Sequence, residues 1–425
     1  GQESVLGLSA NPIDTVRVGF IGLGMRGYSA VVRFTFVPNS MIAALCDIEN
    51  NRVERSAEIL SRKGLPQAEM YGGEADSWKK LCESENVDLV YICTDWKNHA
   101  PMALYAMECG KHVAIEVPAA TTLEEIWALI DMSEKTRKHC MMLENCIYDF
   151  FEMNTLAMVQ SGTLGEVIHV EGSYHHCLNA FWWEYWNNWR LDYNKETRGD
   201  VYPTHGIGPV CQVLNIHRGD RMKTLVSMDT DSFNGPKVYE RCAGVPCDEF
   251  KNADQTNTLI RTENGKTMLI QHNVMTPRPY SRQYQLTGTD GFANKYPTEQ
   301  YLFRAESISE DAVPDHEDLN SHKPVPESVK AALMQKYKHR IHQEIEEEAR
   351  KVGGHGGMDY IMDYRLIYCL HHGLPLDQDV YDAAEWSSLV ELTEVSIKHG
   401  SMPVVMPDFT RGEWNKLKGV TFATK

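Results

Sequence analysis

The chain has 425 residues, a formal charge of −17, 42% hydrophobic residues and 24% charged residues. That length supports two or three domains with a sizeable core. The acidic balance excludes nucleic acid and anionic lipid as general partners, and no apolar run approaches the ~18–20 residues of a membrane span.

The opening GQESVLGLSANPID has neither a basic n-region nor an apolar h-region, so no signal peptide is expected within it. A remnant left after signal removal reads the same way, so cytoplasmic and exported (periplasmic) locations both stay open. Eleven cysteines, an odd number without a CxxC pair, predict free thiols in a reducing environment.

From Val16 the chain reads VRVGFIGLGMRG. The run VRVGFI has the length and β-branched content of a strand buried in a parallel sheet. Gly22, Gly24 and Gly27 follow in G-x-G-x-x-G spacing. The first permits a tight turn, the second lets backbone approach a pyrophosphate, and the third lets the next helix pack on the strand. A second strand, MIAALCD, ends in Asp47, 25 residues after Gly22, where an acid accepts hydrogen bonds from the adenosine ribose. That acid would repel a 2′-phosphate, so NAD is expected over NADP. Helix-like NRVERSAEILSRKG is followed by a helix over 76–84, the strand VDLVYICT and a helix over 100–109 closed by Gly110. The strand HVAIEV, a helix over 123–138 and the strand CMMLEN complete the series. Such alternation predicts an α/β, Rossmann-type doubly wound parallel sheet.

GFIGLGMRG and ICTDWKNHAPMALYAMECGKHVAIEVPAA resemble the glucose-fructose oxidoreductase, inositol dehydrogenase and MocA superfamily over residues 16–145. The resemblance implies a second α+β domain whose large, open, mostly antiparallel sheet carries the substrate site. Where that superfamily has E-K-P, this chain has Glu116-Val117-Pro118. In the family's ordinary dehydrogenases the Lys sits at the reacting hydroxyl and helps move its proton, which Val cannot do.

EVPAA, LENCIYDFF, EGSYHHC, NNWR and GDVYPTHGIGP resemble a narrower branch, glycoside hydrolase family 109, the NAD-dependent α-N-acetylgalactosaminidases. This resemblance covers about residues 16–300, with HGGMDY at 355–360 belonging to it. The organisation expected is a tail over 1–13, an NAD-binding Rossmann domain over 14–145 and an α+β substrate-binding domain over 146–425. Within the last, residues 304–330 read as an acidic loop or insertion.

A conventional glycosidase sets two carboxylates across the scissile bond, and no pair among the 59 acidic residues stands out by spacing. A tightly held nicotinamide allows another route: transient oxidation at C3, loss of the C2 hydrogen, elimination at C1 and addition of water. The cofactor does the hard step, and the protein supplies position and proton transfer.

The resemblance points to Tyr174 and His176 in SYHH and to Tyr202 and His205 in YPTH. Val170, Gly172 and Tyr174 are spaced by two, so Tyr174 and His176 should share one sheet face. Tyr174 and His205 are expected to share the base work at C2 and proton donation to the leaving oxygen, the sequence leaving open which does which.

The resemblance also implies substrate contacts from Glu144, His176, Arg190, Tyr202 and Tyr280. It implies cofactor contacts from Gly22, Gly24, Met25, Arg26, Gly27, Asp47, Thr94, Trp96, His99, Glu116 and Asn145. Glu144 is read as the end of the last strand of the nucleotide domain, and Arg190 offers a rigid fork of donors for hydroxyls or an acetamide carbonyl. Six aromatics among residues 181–189 either stack on sugar C–H faces or form core or oligomer contacts. His355 precedes a helical stretch and receives no role.

His339, His342, Glu344 and Glu347 have helical spacing and read as a solvated charged face, and no metal is expected. Two other readings are an NAD-dependent sugar or polyol dehydrogenase with net oxidation, and a non-catalytic NAD- or sugar-sensing module. Val117 argues against the first, and the cluster of Tyr and His against the second. A glycan with a terminal α-linked amino sugar is the expected partner, and an open sheet leaves room for a homo-oligomer.

Overall fold

The computed structural model describes residues 2–304 and 322–420. Six strands, β1 (Val16–Ile21), β2 (Ser40–Asp47), β3 (Glu69–Gly72), β4 (Leu89–Ile92), β5 (His112–Ile115) and β6 (Cys140–Met142), form one parallel sheet in the order β3-β2-β1-β4-β5-β6. The apolar runs β4, β5 and β6 are buried along their whole length, as strands covered on both faces must be. β3 was not expected: EMYG is a short edge strand, half exposed, and leaves no apolar run to read. The strand order reverses between β1 and β4, which opens a crevice beyond their carboxyl ends.

Two boundaries differ from expectation. The helix after β4 spans Trp96–Glu108, with Pro101 inside it rather than at its start. Pro101 removes one backbone hydrogen bond, and the first turn is held instead by Trp96, packed edge-on against Trp189 and Tyr193. The strand CMMLEN stops at Met142, and Glu144 caps the short turn Asn145–Tyr148 by accepting the Cys146 N–H.

The second sheet has eight strands: β7 (Val167–His175), β8 (Met222–Asp229), β9 (Thr256–Thr262), β10 (Thr267–Asn273), β11 (Tyr284–Gly288), β12 (Gly291–Asn294), β13 (Gln300–Phe303) and β14 (Val404–Val405). Their order is β13-β12-β11-β7-β10-β9-β8-β14, antiparallel except for the β7–β10 pair. The helix Thr204–Val213 lies directly on β7. A Cβ at Gly172 would stand 2.0 Å from the Gly206 carbonyl oxygen, so glycine is what permits backbone to meet backbone there.

The C-terminal chain returns to the first sheet. The helix Val380–Lys398 packs on Leu123–Thr136 and β6 from one side and on β8 from the other. Residues expected as an N-terminal tail are docked: the Val5 N–H donates to the Tyr381 hydroxyl at 3.0 Å and the Ile13 N–H to Leu370 O at 3.1 Å. Of the expected loop at 304–330, residues 305–321 lie outside the described residues, and from Glu327 the chain is helical.

His339 and His342 do not face solvent as expected. His342 is bonded to Tyr148 O at 3.2 Å beside the Phe150 ring, while Glu344 and Glu347 are exposed. Among the described residues no helix is long and apolar enough to cross a membrane.

Asp200, just ahead of the YPTH segment, is fully buried, and burial pushes its carboxyl up to about 7 despite the Tyr202 N–H donated to it at 3.1 Å. An unfolded Asp ionises near pH 4. The native state therefore holds a proton that the unfolded state has lost, and this residue's share of stability falls as pH rises between about 4 and 7. Asp200→Asn keeps the acceptor and cannot ionise. Its melting temperature is expected to exceed that of the wild type by roughly 2–6 °C at pH 8, with most of the gap gone at pH 5. Thermal melts in which the gap is the same at both pH values would contradict this.

Candidate active site

A cavity of about 980 Å³ runs from the carboxyl ends of β1, β2, β4 and β5 to the Tyr174 end of β7. At its first end lie Gly22, Gly24, Met25, Asp47 and Thr94. Gly22 has φ +90, and a Cβ on it would stand 2.4 Å from Cys93 O. Gly27 does not line the cavity; its missing Cβ would fall 1.7 Å from Gly22 O, so its role is helix–strand packing. A Cβ at Gly24 would meet nothing closer than the Arg52 guanidinium at 3.7 Å, which leaves open space in front of the helix N-terminus.

Asp47 accepts the Leu23 N–H at 2.7 Å and the Glu49 N–H at 2.8 Å, fixing its carboxylate at the end of β2 with lone pairs to spare. An open glycine, a clamped acid and a helix N-terminus together fit the pyrophosphate and adenosine ribose of a dinucleotide.

The middle of the cavity is a charge network. Arg26 pairs with Glu116 at 3.2 Å and Asp359 at 3.1 Å. Asp359 also accepts from the Asn145 amide at 2.6 Å and lies 2.7 Å from His355 Nδ1. Burial opposes ionisation of Asp359, yet Arg26 and the His355 hydrogen bond hold its carboxyl well below the usual range. His355 is carried on Gly353–Gly357, five consecutive residues with positive φ, and its half-exposed side chain stands at the cavity mouth. The sequence reading assigned neither residue. The glycine run was the available signal, since it is what lets the loop bend back over the cavity.

At the far end two Tyr–His pairs meet. Tyr174 Oη lies 3.0 Å from His176 Nδ1, and Tyr202 Oη lies 3.1 Å from His205 Nε2. The two phenol rings are 4.7 Å apart. His205 Nδ1 lies 2.7 Å from Glu144 Oε1, so Glu144, His205 and Tyr202 form a carboxylate–imidazole–phenol chain. Burial pushes the Tyr174 phenol up to about 12, with the Arg190 charge opposing it, and pushes His176 down to about 4 with help from the same charge. Arg190 donates to the Tyr185 hydroxyl at 2.7 Å. Tyr280 packs edge-on against the His176 ring, 4.9 Å away, so it is a cavity residue rather than a stray surface aromatic.

Several expected contacts are displaced. Glu144 is wholly buried behind His205 and does not line the cavity, because the chain turns into a capped helical turn instead of continuing the strand. His99 is on the wall, but both of its ring nitrogens are engaged, Nδ1 with Pro118 O at 2.6 Å and Nε2 with Thr94 O at 2.9 Å. It ties two strand-end loops together. Trp96 stacks on Tyr202, with ring centroids 5.6 Å apart, and so belongs to the wall of the far end. Of the aromatic segment, Trp182 is core, Trp183 is exposed, and Phe181, Tyr185, Trp186 and Trp189 line the cavity.

Glu144, Cys146 and His205 bring ligand atoms within 4.8 Å of one another. Burial holds the Cys146 thiol protonated, and the other two are spent on each other, so we read the group as a hydrogen-bond cluster.

Gly24→Ala probes the cofactor contribution, because its Cβ points into open space, while its φ of −75 and ψ of −144 put a modest backbone strain on any residue but glycine. The variant's melting temperature without nucleotide is expected to fall by no more than about 1–4 °C from that strain, while calorimetric titration with NAD gives at least about tenfold weaker binding. An unchanged affinity would refute the placement of the pyrophosphate.

Comparison with known proteins places this geometry. The profile "Glycosyl hydrolase 109, C-terminal domain" matches residues 148–416, and "Oxidoreductase family, NAD-binding Rossmann fold" matches 16–144. A glycosyl hydrolase family 109 protein of Porphyromonas gingivalis is 64% identical over 423 residues, covering 100% of this chain and 90% of that one. One from Bacteroides thetaiotaomicron is 64% identical over 422 residues, covering 99% and 90%. Among solved structures, an NAD binding oxidoreductase from Klebsiella pneumoniae superposes with a TM-score of 0.69 at 17% identity, covering 93% of this chain and 100% of that one. Levoglucosan dehydrogenase in complex with NADH gives 0.66 at 18%, with the same coverage. The chain belongs to glycosyl hydrolase family 109, with an NAD-binding Rossmann fold as its N-terminal portion.

Proposed function

We propose that this glycoside hydrolase releases terminal α-linked N-acetylgalactosamine through transient oxidation at C3, deprotonation at C2 and elimination at C1. The observation that carries the reading is the pairing of two phenols with two imidazoles at one end of a cavity whose other end fits a dinucleotide. Bound NAD supplies reversible oxidation of the sugar C3 alcohol to a ketone, which acidifies the C2 hydrogen.

The chain's own residues then have to move three protons. Val117 lines the cavity where a proton-carrying Lys stands in related dehydrogenases, so the C3 hydroxyl proton needs another acceptor. His205 suits that task, with Glu144 on Nδ1 to orient it and stabilise the imidazolium. Tyr174, the penultimate residue of β7 and bonded to His176 Nδ1, takes the C2 proton once ionised and returns it.

His355 stands at the solvent side, where an aglycone departs, with Asp359 on its Nδ1. We assign it proton donation to the leaving oxygen, a task the sequence reading had divided between Tyr174 and His205. Arg190 and Tyr280 both line the end of the cavity that would receive the sugar. The choice of the acetamido sugar rests on the resemblance of the EVP and YPTHGIGP segments to the family's α-N-acetylgalactosaminidases.

Incubation with an α-N-acetylgalactosaminide in deuterated water tests the route. Cleavage with deuterium at C2 of the released sugar and no accumulating NADH is expected, with kcat lowered about 10²–10⁴-fold in Tyr174→Phe and in His205→Ala. NADH rising without cleavage makes the chain a net dehydrogenase, and cleavage without exchange at C2 removes the elimination step.

A further inference from the structure

Arg190 is buried, yet among the described residues it has no carboxylate within 4 Å. Arg26, Arg33 and Arg282, also on the cavity wall, each have at least one. Neutral rings surround it instead: its guanidinium carbon lies 4.4 Å from the Tyr202 centroid, 5.0 Å from Trp96 and 5.2 Å from Tyr185. Its Nε is buried without a hydrogen-bond partner. An uncompensated buried cation is expensive to keep, and π faces recover only part of the cost. A site that carries one is completed by an anion that the folded chain itself does not supply.

The surroundings indicate which anion. Tyr174 is adjacent, and the Arg190 charge is the largest influence opposing the burial of its phenol. The other groups facing Tyr174 are His176, His205, His272, Tyr185, Tyr202 and Cys146. Burial keeps His176 and His272 neutral, near 4 and 3, and His205 is committed to Glu144. Arg190 is thus the positive charge at this end that no carboxylate offsets among the described residues, since Arg282 is paired with Asp149.

Building on the route above, we propose that Arg190 is the counter-charge for the anion that forms here during turnover. That anion is first the Tyr174 phenolate, its proton lost to solvent, and then the enolate of the oxidised sugar. When the phenolate takes the C2 hydrogen as a proton, the C2–H electron pair becomes the C2=C3 π bond of the enolate, and the C3=O π pair moves onto oxygen, which acquires the negative charge. One negative charge moves from tyrosine to sugar, none enters or leaves the site, and Arg190 faces it at both stages. The guanidinium stays protonated throughout.

A counter-charge acts on the transition state, whereas a mere sugar contact acts on binding. The test uses NAD-loaded wild type, Arg190→Met and Arg190→Lys with an α-N-acetylgalactosaminide carrying H or D at C2. Melting curves and bound-NAD content serve as folding controls. In Arg190→Met, kcat is expected to fall about 10²–10³-fold with KM within about threefold, and the C2 isotope effect on kcat should grow as that step becomes slow. Arg190→Lys, which keeps the charge and loses the fork, should recover at least about tenfold of the loss.

A raised KM with kcat retained, or an isotope effect that does not grow, overturns the proposal and leaves Arg190 a binding residue. If Arg190→Met does not fold, Arg190→Lys decides alone: a kcat loss beyond about 10²-fold overturns the proposal, and a smaller loss with unchanged KM sustains it. Absence of C2 exchange in the wild type would instead sink the elimination route itself, whatever the variants do.

Discussion

Asp359 lies on the first turn of the helix Met358–His372, more than 300 residues along the chain from the glycine-rich turn it secures. Its two oxygens meet Arg26 from the first Rossmann helix, Asn145 from the turn after β6, and His355 from the glycine loop, with Arg33 3.9 Å away. Removing one partner from such a buried ion pair typically costs about 3–5 kcal/mol, because the remaining charge has no water to turn to. The cavity exists in this shape because one carboxylate closes it. The C-terminal helix must return to the first sheet for that contact to form, and the docking of Val380–Lys398 between the two sheets is what brings it back.

This dependence explains which parts of the site could be read in sequence. The glycines at 22, 24 and 27 and Asp47 act through local geometry, a turn and two strand ends, so their spacing carries the information. Gly172 and Gly206 show the same logic at longer range: each sits in a recognisable segment, but only the fold reveals that they lie against each other and thereby bring His205 to Tyr174. His355 had only its glycine run as a local sign, and Asp359 had none. Asp359 matters through partners from two distant stretches, the first Rossmann helix and the turn after β6, and periodicity carries no trace of that.

The displaced residues fail for an equally physical reason. Glu144 was read as the tip of a strand pointing at a ligand, whereas its side chain caps the following turn and then serves His205 from behind. A carboxylate with a backbone N–H one turn away has a local use that competes with any ligand. His99 looked like a cofactor contact because it follows a strand, yet two carbonyl groups reach its nitrogens first. β3 escaped notice because an edge strand of four residues buries too little to leave a hydrophobic pattern.

The same accounting gives the far end of the cavity its chemical character. Tyr174 is pushed up to about 12 by burial and His176 down to about 4, so both rest uncharged. The carboxylates lining the middle, Glu116 and Asp359, share one guanidinium and have little left to offer a substrate. Glu144 is screened behind an imidazole. Among the described residues, the phenol–imidazole end thus sets proton carriers in sequence beside one buried guanidinium, Arg190, that has no carboxylate next to it. On the proposed route, that is the set of groups a substrate needs when it becomes acidic only after oxidation: a phenol that ionises to take a proton and then returns it, and a fixed charge that waits for the electrons.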